Sequence, residues 1–158
     1  MFGLSWLVYY GQQQHWLSGA SHSLQSNQPG LCVVDHLVDG DTIAVKMNGT
    51  VEKIWLIGVD TPETNKPNTP VQCYGPAAAA YTKSRIGSQR IRLEADSLSS
   101  NRDRFNRLLR YVYPPDGSNL DEAIIQNGYG FCYPYFRFTK SLQFATAQQQ
   151  AMEANKGL

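Results

Sequence analysis

A chain of 158 residues, 42% hydrophobic and 17% charged, is long enough for one domain with one sizeable core. It carries no low-complexity tract and no internal repeat, which excludes fibrous and solenoid architectures. With 14 Lys plus Arg against 13 Asp plus Glu, its net charge of +1 provides no general attraction for nucleic acid, so any such affinity must come from a local patch.

The segment Phe2 to Tyr10 is apolar but too short to span a bilayer, and Gln12, Gln13, Gln14 and His15 interrupt it. No Lys or Arg precedes it as a secretion signal requires. Residues 1–30 therefore read as a poorly ordered leader, or a degraded signal or anchor segment, ending in the polar, turn-rich stretch Ser21 to Gly30. A folded domain is expected over residues 31–158.

Leu31 to Val38 is short, apolar and Val-rich, which predicts a strand. Thr42 to Met47 and Thr50 to Val59 predict two more, joined by Asn48-Gly49, a pair that suits a hairpin turn needing positive φ at both positions. Pro76 belongs in the first turn of a helix that runs through four alanines to Ile86, with Gly87 closing it. Ile91 to Ala95 and Leu108 to Tyr113 predict further strands, the second ended by Pro114-Pro115-Asp116-Gly117. Asn119, three residues before Glu122, caps a short helix ending at Gly128, and the Ala- and Gln-rich run Ser141 to Asn155 predicts a third. Strands first, helices few and a local hairpin together indicate an α+β fold, an antiparallel barrel carrying helices. Cys32, Cys73 and Cys132 have no zinc-type spacing; either all are reduced, or one pair is bridged.

The chemistry concentrates in two short segments. Asp39-Gly40-Asp41-Thr42 delivers a carboxylate to the start of a strand, and Val59-Asp60-Thr61-Pro62-Glu63-Thr64 delivers two more at a strand exit. Carboxylates brought together repel unless a cation sits among them, and hard oxygen ligands suit calcium. Either segment alone reads more readily as an ordinary turn.

In sequence order, DGDT, the hairpin, VDTPET, CYGPAAAAYTK and RDRFNRLLRYVY resemble the staphylococcal nuclease (thermonuclease) family from about Cys32 to Leu158. The resemblance implies an OB-fold, a five-stranded antiparallel barrel with three α-helices. It implies Ca2+ held by Asp41, Asp60 and the main-chain carbonyl of Thr61, with Glu63 orienting or deprotonating the attacking water and Arg107 binding the phosphate. It further implies a monomeric endonuclease acting on DNA and RNA, preferring single strands and leaving 3′-phosphate ends, secreted or in the cell envelope. Arg104, Phe105, Tyr133 and Tyr135 fall where the family contacts substrate; the two tyrosines read as well as core residues.

One position departs from the family. Five residues before Asp60, where the pattern has an arginine, stands Trp55, which cannot donate a bidentate pair to a phosphate. Trp55 either packs, as aromatic residues do on strands, or offers a face for base stacking. Losing one arginine is expected to weaken the enzyme. The alternative is a catalytically inactive nucleic-acid-binding or protein-interaction module of the same fold, which retention of all three carboxylates disfavours.

Overall fold

The computed structural model describes residues 31–88 and 90–158, and what the sequence predicts for residues 1–30 lies outside the described residues. Strand β1 (Leu31–Asp39) pairs antiparallel with β2 (Thr42–Met47), and shifts of register between Val34 and His36 and between Leu37 and Asp39 bend it around the barrel. Strand β2 pairs with β3 (Thr50–Leu56) from Met47↔Thr50 to Thr42↔Trp55. Asn48 at φ 51° and Gly49 at φ 80° occupy the two positive-φ positions of the turn between them, as the Asn-Gly pair predicts.

The strand expected to run on to Val59 breaks earlier. Gly58 adopts φ 71°, and a Cβ there would lie 2.5 Å from the ring of Phe138. The chain therefore turns at Ile57-Gly58 and restarts as the two-residue β4 (Val59–Asp60). This break lifts Asp60 out of the barrel wall into a separate two-stranded sheet with β7 (Phe131–Cys132).

Helix α1 (Gly75–Ile86) has Pro76 in its first turn and ends at Gly87, whose N–H donates to the carbonyl of Lys83. Strands β5 (Arg90–Glu94) and β6 (Leu108–Tyr113) pair antiparallel. In helix α2 (Leu120–Gln126) the Asn119 side chain accepts from the Glu122 N–H at 3.0 Å. Helix α3 (Ser141–Glu153) buries Phe144, Ala147 and Ala151 along one stripe.

The barrel is the expected five-stranded one, closed in the order β1-β2-β3-β6-β5, with three helices among the described residues. The β3–β6 pairing is parallel, from Ile54↔Leu108 to Leu56↔Arg110. That register brings Arg107, just before β6, to the stretch of β3 that carries Trp55, and so to Thr42 on β2. Ile43, Val45, Ile54, Leu56, Ile91 and Val112 fill the interior, each fully buried, and Tyr111 and Phe144 join barrel to helix α3. Each such aliphatic side chain contributes about 1.5–3 kcal/mol by leaving water. All three cysteines are free thiols. No helix among the described residues is long and apolar enough to cross a membrane.

Asp96 ties β5 to the loop before α3. Its Oδ2 accepts from the Tyr111 hydroxyl at 2.7 Å, the Thr139 N–H at 2.8 Å and the Thr139 hydroxyl, while Oδ1 accepts from the N–H groups of Leu98 and Ser99. Desolvation works against the charged form, but these donors outweigh it and hold the carboxyl down at about 2. A carboxyl lowered on folding stabilises above its unfolded pKa and loses that contribution as pH falls through the folded value. The contribution is on the order of 1–2 kcal/mol after solvent screening. Asp96→Asn is therefore expected to lower the melting temperature at pH 7, with the gap to wild type closing between pH 4 and pH 2. Thermal unfolding followed by circular dichroism across that range checks it; a gap independent of pH would mean that charge at Asp96 is irrelevant.

Candidate active site

Two loops carry the predicted carboxylates, and the fold locks them together. The Asp39 carboxylate accepts from the N–H of Gly40 at 2.8 Å and, across the gap, from the N–H and hydroxyl of Thr64 at 3.1 and 2.7 Å. Asp41 Oδ2 accepts from the N–H of Thr61 at 3.2 Å. From helix α1, the Thr82 hydroxyl donates to the Gly40 carbonyl at 2.6 Å. Glycine is required in the first loop for space, since a Cβ on Gly40 would lie 2.5 Å from Thr61 Oγ1. Gly130 serves the second loop likewise, because a Cβ there would lie 2.8 Å from the Asp60 carbonyl.

Negative charge accumulates at this junction. Burial pushes the Asp41 carboxyl up to about 6; Asp60 and Asp39 push the same way, against hydrogen bonds from Thr42 and Thr61. Asp60 reaches solvent, yet partial desolvation raises it too, with Lys66 opposing. Glu63 is raised by desolvation first, then by its hydrogen bond to Asp39 and the charges of Asp39 and Asp60, again with Lys66 opposing. Oxygen donors carrying surplus negative charge fit a hard cation. Among the described residues no three or more His, Cys, Asp and Glu side chains gather as a metal cage. A cation here would rest on Asp41 and Asp60, with the carbonyl of Thr61 and water making up the rest.

Arg107 joins this cluster from the other side of the barrel mouth. Its Nε donates to Asp103 Oδ2 at 2.8 Å, and its main-chain N–H donates to Asp103 Oδ1 at 2.9 Å. Its Nη1 donates to the Thr42 hydroxyl at 3.2 Å, and that hydroxyl donates to Asp41 Oδ1 at 2.9 Å. One hydroxyl thus connects the guanidinium to the carboxylate cluster. Thr42, Asp103 and Asp39 join this cluster without any local sequence pattern that marks them as functional. Thr42 was in view within DGDT, but its partner arrives 65 residues later.

The other predicted residues fall around Arg107. Trp55 is half-buried, with Tyr133 and Phe136 against its ring at 5.4 and 5.8 Å between centroids. Tyr133 is half-buried and packs on Tyr135, which is 82% exposed, so of the two only Tyr135 is fully open to a ligand. Phe105 is 65% exposed, and Arg104 lies over its ring at 4.7 Å. Arg102 and Arg110 are committed elsewhere. Arg102 makes a two-pronged pair with Glu52 at 2.9 and 3.1 Å, and Arg110 donates to Asn101 and to the Leu109 carbonyl.

A family model described as staphylococcal nuclease homologue matches residues 53–158, a span that includes Asp60, Glu63 and Arg107 and begins after Asp41. A thermonuclease of Staphylococcus intermedius is 50% identical over 84 residues, covering 53% of this chain and 49% of that protein. A thermonuclease of Staphylococcus hyicus is 38% identical over 126 residues, covering 77% of this chain and 72% of that protein. Endonuclease YncB of Bacillus subtilis is 38% identical over 136 residues, covering 85% of this chain and 64% of that protein. The chain thus spans between about half and three quarters of the length of these relatives.

Proposed function

The chain belongs to the staphylococcal nuclease family, and on that premise we propose that it is a calcium-dependent endonuclease hydrolysing DNA and RNA, with single strands preferred. The observation that carries the reading is the hydrogen-bonded path from Arg107 through Thr42 to Asp41, which sets a phosphate-binding fork beside a carboxylate cluster. Bound calcium would supply Lewis-acid polarisation of a phosphoryl oxygen and offset the charge of Asp41 and Asp60. Glu63, with its carboxyl raised by partial burial, is suited to take a proton from the attacking water. Arg107 binds the scissile phosphate and stabilises charge developing on its oxygens. Phe105 and Tyr135 present exposed ring faces on which bases can stack. That the relatives include thermonucleases and an endonuclease supports this reading.

Trp55 favours a second reading, an inactive binding module, because an indole stands on β3 where the family pattern has an arginine. Digestion of a single-stranded oligodeoxynucleotide in calcium, followed by end-group analysis, separates the two. The expected products carry 3′-phosphate and 5′-hydroxyl ends. Binding without cleavage would support the module, and 5′-phosphate ends would mean a different mode of attack.

A further inference from the structure

Arg107 has a long, rotamer-rich side chain, yet four groups surround it. Asp103 takes its Nε–H, Thr42 takes one N–H of Nη1, and its guanidinium carbon lies 4.4 Å from the centroid of the Trp55 ring and, more distantly, 5.6 Å from that of the exposed Phe105. Three of its five N–H groups remain for a ligand. The indole is itself held. It stands on β3 opposite Thr42, and Tyr133 and Phe136 pack against it. Phe136 packs in turn on the buried Phe138.

A cation over an aromatic face is attracted by the ring quadrupole, most strongly for tryptophan. That attraction constrains the plane of a guanidinium, which an aliphatic neighbour of similar volume would not do. A fork whose plane is set before binding loses less freedom when it meets two phosphate oxygens.

We propose that Trp55 is a positioning residue: its indole face holds the Arg107 guanidinium in one plane, presenting the unspent N–H groups to a phosphate as a preset fork. Trp55 contributes no charge and no donor to the phosphate. It acts through Arg107. The proposal rests on the reading of Arg107 as the phosphate-binding group.

The test compares the intact chain with Trp55→Phe, which keeps a ring, and with Trp55→Leu and Trp55→Met, which keep apolar volume without one. Thermal unfolding identifies the aliphatic variant that retains the fold. Two readouts are taken: kcat and KM for a single-stranded oligodeoxynucleotide in calcium, and the dissociation constant for inorganic phosphate, followed at the Arg107 Hε resonance. In wild type that resonance is expected to carry a ring-current shift from Trp55 and Phe105; Trp55→Phe should keep it, and the aliphatic variant should lose the part due to Trp55. The aliphatic variant is expected to lose roughly twofold to thirtyfold in kcat and in phosphate affinity, with KM changing much less and Trp55→Phe staying close to wild type. Equal losses in the ring and aliphatic variants, or no loss in either, would overturn the proposal. If the wild-type chain does not cleave, the phosphate titration decides alone. Weaker phosphate binding only in the aliphatic variant then upholds Trp55's role while the nuclease reading fails.

Discussion

Arg107→Ala is expected to lower kcat on single-stranded DNA by about 10³- to 10⁵-fold, the range for an arginine acting on a transferring phosphoryl group. The loss should lie toward the upper end, because Trp55 occupies the position from which a second arginine would compensate. Arg107→Lys should recover part of the rate, since it restores charge without the planar fork. Arg107→Ala also strips Asp103 of its ion-pair partner, although the N–H groups of residues 105 and 107 still donate to that carboxylate. Steady-state kinetics with a circular dichroism spectrum of each variant checks the prediction. A loss below tenfold in a folded Arg107→Ala would remove Arg107 from the reaction.

Glu63→Gln should cost about 10²- to 10⁴-fold in kcat, the usual value of a positioned general base. Glutamine keeps the volume and a carbonyl oxygen but cannot accept the water's proton at neutral pH. The loop itself should survive the change. Its main chain is held by Glu63 N–H donating to Gln72 Oε1 at 2.7 Å and by Gln72 N–H donating to the Glu63 carbonyl at 2.9 Å. Neither contact uses the Glu63 carboxylate, and the glutamine amide can still donate to Asp39, so the variant tests proton transfer with the loop contacts kept.

What could be read from the sequence was local. Asn48-Gly49, Pro76 and the Asn119 cap each act within a few residues, and each stands where it was expected. The break at Gly58 was not legible, because the apolar run from Ile54 to Ile57 resumes at Val59; Phe138, 80 positions on, closes the space above that glycine. The parallel pairing of β3 with β6 joins residues some 54 positions apart and leaves no local mark. The candidate site divides in the same way. Its carboxylates sit in short motifs near strand ends, and Asp41, Asp60 and Glu63 are named through the family resemblance that the motifs carry in order. The role of Thr42 and the stacking of Arg107 on Trp55 exist only once the barrel has brought β2, β3 and β6 side by side.

That division also explains how Trp55 changes meaning. On the strand it is an aromatic residue suited to packing, and against the family pattern it is a missing charge. In the fold it does pack, on Tyr133 and Phe136, but its neighbour is the one guanidinium bonded to the hydroxyl that reaches Asp41. A cation–π contact of about 0.5–2 kcal/mol cannot replace an arginine worth 10³ or more in rate. On the proposed function, cleavage should therefore be slower than in a Trp55→Arg variant, while base, carboxylates and one fork remain.

The account is tested most directly by titrating calcium into the intact chain and into Glu63→Gln while following both calcium binding and cleavage of a single-stranded oligodeoxynucleotide. Wild-type cleavage should rise with calcium occupancy and stop when a chelator removes the ion, whereas Glu63→Gln should bind calcium and fail to cut. Cleavage that persists in chelator, or that Glu63→Gln performs at the wild-type rate, would contradict the assignment of this carboxylate cluster as the catalytic centre.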